Sequence, residues 1–141
     1  MANSRQIAEA IANGLGEAGH EVTVLSVSDA KPDPSMDFVV VGGSTRAARA
    51  SGKIKRFAAG VAKCCPGHPF ATFSTGASVS KKPNTQASER LYESLSENGM
   101  VPLAAPFIAG VQQMKGPLIE GELQRAEAFG QELGAKLVEK A

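Results

Sequence analysis

Two polar stretches carry most of the side chains with chemistry to offer. They are Gly42-Gly43-Ser44-Thr45-Arg46 and Ser74-Thr75-Gly76-Ala77-Ser78. Hydroxyls, glycine N–H groups and an arginine can all donate hydrogen bonds to an oxyanion. Near the start, Asn3, Ser4 and Arg5 offer similar donors just ahead of an apolar helical pattern. The two histidines promise less. Neither His20 nor His68 has a cysteine or carboxylate at catalytic spacing, so no Ser–His or Cys–His nucleophile is expected. Cys64 and Cys65 are adjacent and are the only cysteines. Neighbouring residues close only a strained disulfide, and no zinc pattern surrounds them, so a reduced pair near a helix end is expected.

The polar stretches need elements to position them. Residues 38–41 are four consecutive apolar residues, three of them valine, and end at Gly42 and Gly43. A short β-branched run bounded by turn residues reads as a strand buried on both faces. A helix follows, with Ile54, Phe57, Ala58 and Val61 as its apolar positions. This ordering puts the Ser44 loop at a strand's carboxyl end, where open α/β sheets bind ligands.

Elsewhere, Asn3 or Ser4 is placed to cap a first helix with the stripe Ile7, Ala8, Ile11 and Leu15, closed by Gly19. Residues 22–27 and 70–74 read as strands, and 85–98 as a helix ended by Gly99. Residues 100–104 read as a strand that 107–111 extends. Pro117 is expected to start the last helix, striped by Ile119, Leu123, Ala126, Gly130, Leu133 and Leu137. Alternating strands and helices predict one α/β domain over residues 1–141, a mainly parallel sheet with helices on both faces.

At 141 residues the chain can bury a sizeable core. No apolar run is long enough to span a bilayer and no export leader is visible, so a cytoplasmic protein without membrane partners is expected. The net charge of +1 hides a split. Residues 38–88 contain no Asp or Glu but carry Arg46, Arg49, Lys53, Lys55, Arg56, Lys63, Lys81 and Lys82. That predicts a positive face suited to an acidic partner. No aromatic platform accompanies the charge, so nucleic acid is not the expected partner.

Four motifs in order make the chain resemble the flavodoxin family. Residues 2–11 are similar to the second half of that family's phosphate loop, with Ser4 at its usual Thr position. Gly42-Gly43-Ser44-Thr45-Arg46-Ala47 resembles its Gly-Ser-Pro-Thr-Arg loop, and Phe73-Ser74-Thr75-Gly76 its second flavin-facing loop. Residues 115–123 look like the lead-in to its last helix. The resemblance implies a flavodoxin-like sheet and FMN as cofactor. It places Asn3, Ser4 and Arg5 at the phosphate and Gly43, Ser44, Thr45 and Arg46 on one side of the flavin. Ser74, Thr75, Gly76, Ala77 and Ser78 are placed on the other.

The departures shape the expectation. The family's first strand and first half-loop have no counterpart, which leaves four strands. A longer natural chain, direct pairing of 22–27 with 38–41, or strand exchange with a partner or second copy would each account for this. The loops lack aromatics: none lies between Gly42 and Lys55 or between Thr75 and Gln86, and Tyr92 is expected to pack inside a helix. The implied function is electron transfer to a redox partner, and the basic rim favours an acidic one. The alternative is a flavin-free binding or assembly module with a basic surface. If the protein is an enzyme, the resemblance implies an NAD(P)H-dependent flavin or quinone oxidoreductase.

Overall fold

The computed structural model describes residues 2–45, 51–76, 86–111 and 117–140. In chain order the elements are α1 (Ala2–Glu17), β1 (Val39–Ser44), α2 (Gly52–Cys64), β2 (Pro69–Gly76), α3 (Ala87–Glu97), β3 (Val101–Pro102), β4 (Phe107–Gly110) and α4 (Glu122–Lys140). The strands form one parallel sheet of flavodoxin-like α/β type.

β2 is the central strand. β1 runs along one edge in the register Val39↔Phe70 through Ser44↔Thr75. The other edge takes β3 at Pro69 and Phe70, then β4 from Phe73 to Gly76. β3 and β4 are thus one interrupted strand, in line with the expected extension.

Strand alternation sorts the core into two layers. Ala71 and Phe73 face α1 and α4, among Ile7, Ile11, Leu15, Phe129 and Leu133. Val41 and Phe70 face α2 and α3, among Ile54, Ala58, Val61, Leu91 and Leu95. Each fully buried Ile or Leu contributes about 1.5–3 kcal/mol relative to exposure. The α1–α4 crossing depends on glycine: a Cβ at Gly14 would overlap the carbonyl of Glu127, and one at Gly130 that of Ile11.

Several expectations need correction. Residues 22–27 form no strand, although Val22 packs on one core layer and Val27 on the other. Direct pairing of this segment with β1 is therefore excluded. Among the described residues, no strand pairs with the outer edge of β1. The segment has strand-like composition, but propensity cannot substitute for a ladder partner.

The first helix begins at Ala2, so Asn3 and Ser4 lie inside its first turn rather than capping it. The last helix begins at Glu122, not at Pro117. Leu118 instead bridges to Val111, and Gly121 turns at φ +91° before the helix starts. Ile119 and Leu123 consequently lie outside the buried stripe, each 42% exposed. Cys64 and Cys65 are not a reduced pair: they are joined by a disulfide.

Candidate functional site

The carboxyl ends of β1 and β2 meet the first turn of α1. Register places Ser44 beside Thr75, and alternation turns both side chains toward α1. Ser4 completes a cluster of three hydroxyls. Its Oγ lies 3.1 Å from Ser44 Oγ and 3.2 Å from Thr75 Oγ1, while Thr75 Oγ1 donates to Ser44 Oγ at 3.5 Å. The first N–H groups of an α-helix lack intrahelical acceptors, and the helix dipole is positive there. Three hydroxyls and these donors form a set suited to phosphate or another oxyanion.

A second polar network closes the other side of the loops. Thr45 N–H donates to Thr75 O at 2.8 Å. Thr45 Oγ1 donates to Gln86 Oε1 and accepts from Ala87 N–H, both at 2.9 Å. Gln86 is itself buried, and its N–H donates to Glu89 Oε1 at 3.2 Å. Thr45 thereby ties the end of β1 to the start of α3. Gly76 makes this possible, since a Cβ there would sit 2.8 Å from Gln86 Oε1.

The sequence-derived residues separate by their placement. Ser4, Ser44, Thr45 and Thr75 come together. Gly43 is buried and leaves room for Ile54, which a Cβ would overlap. Ser74 is fully buried and points to the opposite layer, with Oγ 2.7 Å from Ser88 Oγ. Its neighbour two residues back does the same: Thr72 Oγ1 donates to Ser88 O at 2.9 Å. Arg5 is exposed and pairs with Glu9 at 3.3 Å. Asn3 is half-buried in the same turn as Ser4. Arg46, Ala77 and Ser78 lie outside the described residues.

Some contributors escaped the sequence reading. Gln86 and Ser88 were hidden in an unremarkable helix start; the Gln86…Glu89 spacing was the one available signal. Glu122 is another. It is 7% exposed and accepts from Gly110 N–H and from Arg125 Nη1, both at 2.6 Å. The Arg125 guanidinium also lies 4.7 Å from the centre of the Phe107 ring. This latch holds the end of β4 against α4.

The histidines serve packing. His20 Nε2 is 3.0 Å from Gly134 O, and its ring meets Phe38 edge-on. His68 Nδ1 is 3.1 Å from Cys65 O. Tyr92 packs beside Phe70, as expected. Among the described residues no group of His, Cys, Asp and Glu could hold a metal ion, and no helix is long and apolar enough to cross a membrane. A cleft of about 420 Å³ lies between α1 and Val22–Val24, and no candidate loop residue lines it.

The family follows from the match to a family model, the flavodoxin domain, over residues 3–115. The chain belongs to the flavodoxin domain family. Its fold is similar to that of a metal-soaked flavodiiron core from Synechocystis, with TM-score 0.80 at 17% identity, covering 99% of this chain and 34% of that one. This chain thus spans about a third of the flavodiiron core's length. It is also similar to oxidised flavodoxin 1 from Bacillus cereus, with TM-score 0.75 at 17% identity and coverage of 99% and 91%. Two-electron reduced flavodoxin from Megasphaera elsdenii gives 0.71 at 15%, covering 96% and 93%. Among curated protein sequences none matches significantly.

Proposed function

We propose that this domain binds FMN at the carboxyl ends of β1 and β2 and serves as an electron carrier. The observation that carries the reading is the convergence of Ser4, Ser44 and Thr75 at the first turn of α1. In this reading Ser4, with backbone N–H groups around Asn3 and Arg5, holds the phosphate. Ser44, Thr45 and Arg46 flank one side of the ring, and Thr75, Gly76, Ala77 and Ser78 the other. Bound FMN supplies the electron chemistry, while the chain binds and orients it. Family membership supports the assignment. The donor set fits the phosphate end. The ring end depends on loop backbone, because the described loop residues bring no aromatic to stack on it.

The direct test is a visible spectrum of the purified protein, repeated after adding excess FMN and removing what does not bind. Retained flavin absorbance or quenched FMN fluorescence supports the carrier. Absence of both signals rejects it. An assay with NADPH, FMN and a quinone separates a carrier from a reductase.

A second reading is a flavin-free binding or assembly module, and two observations favour it. Lys53, Lys55, Arg56 and Lys63 are all exposed on α2, which carries no acidic residue. The outer edge of β1 also stands open among the described residues. Exposed backbone donors and acceptors on such an edge are a template for another strand. An acidic partner on α2, or strand exchange with a second copy at β1, follows from this reading. Light scattering across a concentration series tests self-association.

A further inference from the structure

The disulfide of Cys64 and Cys65 lies at the far end of α2 from the candidate loops and takes no part in the proposed site. We propose that it is a thiol–disulfide exchange site for small dithiols, with Cys64 as the sulfur attacked and Cys65 as the sulfur released.

Burial sets the direction. Cys65 is fully buried, whereas Cys64, the last residue of α2, is half-buried. An incoming thiolate therefore meets Cys64 first. It forms a bond to Cys64 Sγ, the Sγ–Sγ bond breaks, and Cys65 leaves as a thiolate and takes up a proton. The second thiol of the reductant then attacks its own sulfur in the mixed disulfide and releases Cys64. The protein gains two electrons and two protons, and the dithiol is oxidised to a cyclic disulfide.

The surrounding backbone keeps the two sulfurs together after reduction. Cys65 N–H donates to Val61 O at 2.9 Å, and Cys65 O accepts from His68 N–H at 3.2 Å. Gly67 N–H donates to Gly99 O at 2.8 Å. With both flanks anchored, Cys65 sits beside any mixed disulfide on Cys64 and attacks it at high effective concentration. A monothiol adduct is thus reversed before a second monothiol arrives. A dithiol escapes this because its second thiol is equally close. The sulfurs also sit at the negative end of the α2 dipole, which disfavours the departing thiolate and slows exchange.

The test uses the full chain purified without reductant. Thiol counting and intact mass are expected to show no free thiol, then two thiols and a gain of two hydrogen atoms after dithiothreitol. Glutathione at equal thiol concentration is expected to be at least about tenfold slower. After partial reduction, iodoacetamide is expected to label Cys64 before Cys65, and oxidised glutathione to restore the bond. Cys65→Ser is expected to trap glutathione as a stable adduct on Cys64, while Cys64→Ser does not. Two thiols that persist under oxidised glutathione would overturn the proposal. So would disulfide-linked dimers, a bond inert to dithiothreitol in the folded protein, or first labelling at Cys65. The wild-type readings decide the matter even if a variant fails to fold.

Discussion

Ser4 in the first turn of α1 and Thr75 near the end of β2 meet hydroxyl to hydroxyl at 3.2 Å, although 71 residues separate them. The helix start and the parallel strand end contribute to one polar cluster. Ser44 joins from the neighbouring strand by register alone. No single stretch of sequence contains the cluster.

If that cluster holds FMN, with Ser4 at the phosphate and Thr75 beside the ring, each hydroxyl matters to binding more than to folding. Ser4→Ala is expected to weaken FMN binding by roughly tenfold, the cost of losing one hydrogen bond to a charged group, and Thr75→Val, beside the neutral ring, by roughly threefold. Fluorescence quenching titrations measure the effect, and far-UV circular dichroism monitors the fold. Equal affinity for wild type and both variants would show that FMN does not use these hydroxyls.

Thr45 works in the opposite sense, through folding. Thr45→Val leaves Ala87 N–H and Gln86 Oε1 without their partner. Unpaired buried polar groups cost about 1–3 kcal/mol. Urea unfolding is expected to show a lower midpoint with the slope unchanged.

The α1–α4 crossing predicts a contrast between two glycines. Gly130→Ala pushes a methyl into the Ile11 carbonyl and is expected to destabilise by about 1–3 kcal/mol. Gly16→Ala, also helical but with nothing within 4 Å, is expected to stabilise by about 0.5–1 kcal/mol. Thermal melts that rank the two the other way would contradict the packing described.

Glu127 and Glu17 face each other across the same pair of helices. A hydrogen bond to Glu17, then its like charge, holds the Glu127 carboxyl above its ordinary value. A raised carboxyl favours its protonated form in the folded state. Its contribution is complete below the unfolded value and lost as pH rises through the folded one. Glu127→Gln is therefore expected to raise the melting temperature at neutral pH, with the gain fading in acid. Asp33 behaves oppositely: Ser35 N–H, then the Ser35 side chain, lowers its carboxyl, so its contribution fades as pH falls.

The Glu122 latch gives a last prediction. Glu122→Ala leaves Gly110 N–H unpaired where it is buried and frees Arg125. A loss of about 1–3 kcal/mol is expected, with amide exchange rising first at Gly110 and Val111.

Local pattern sufficed for much of this molecule. The valine run, the Ile54–Val61 stripe and the Gly19 and Gly99 stops are all short-range signals, and the structure bears them out. Gly42 and Gly43 do not end the strand, however: β1 stays paired through them to Ser44, and Val39 and Val40 are only half-buried. Period and punctuation are properties of a few neighbouring residues, so the α/β class was legible without coordinates. Long-range geometry decided the rest. Residues 22–27 have the composition of a strand but no ladder, because a strand exists only with a partner. Ile119 fits the stripe of α4, yet Gly121 turns the chain before the helix begins. Ser74 and Thr75 look equivalent in the sequence, but strand alternation buries one hydroxyl against Ser88 and brings the other to Ser4. Which hydroxyl reaches the site, and which is spent in the core, depended on register, and register is set only when the strands pair.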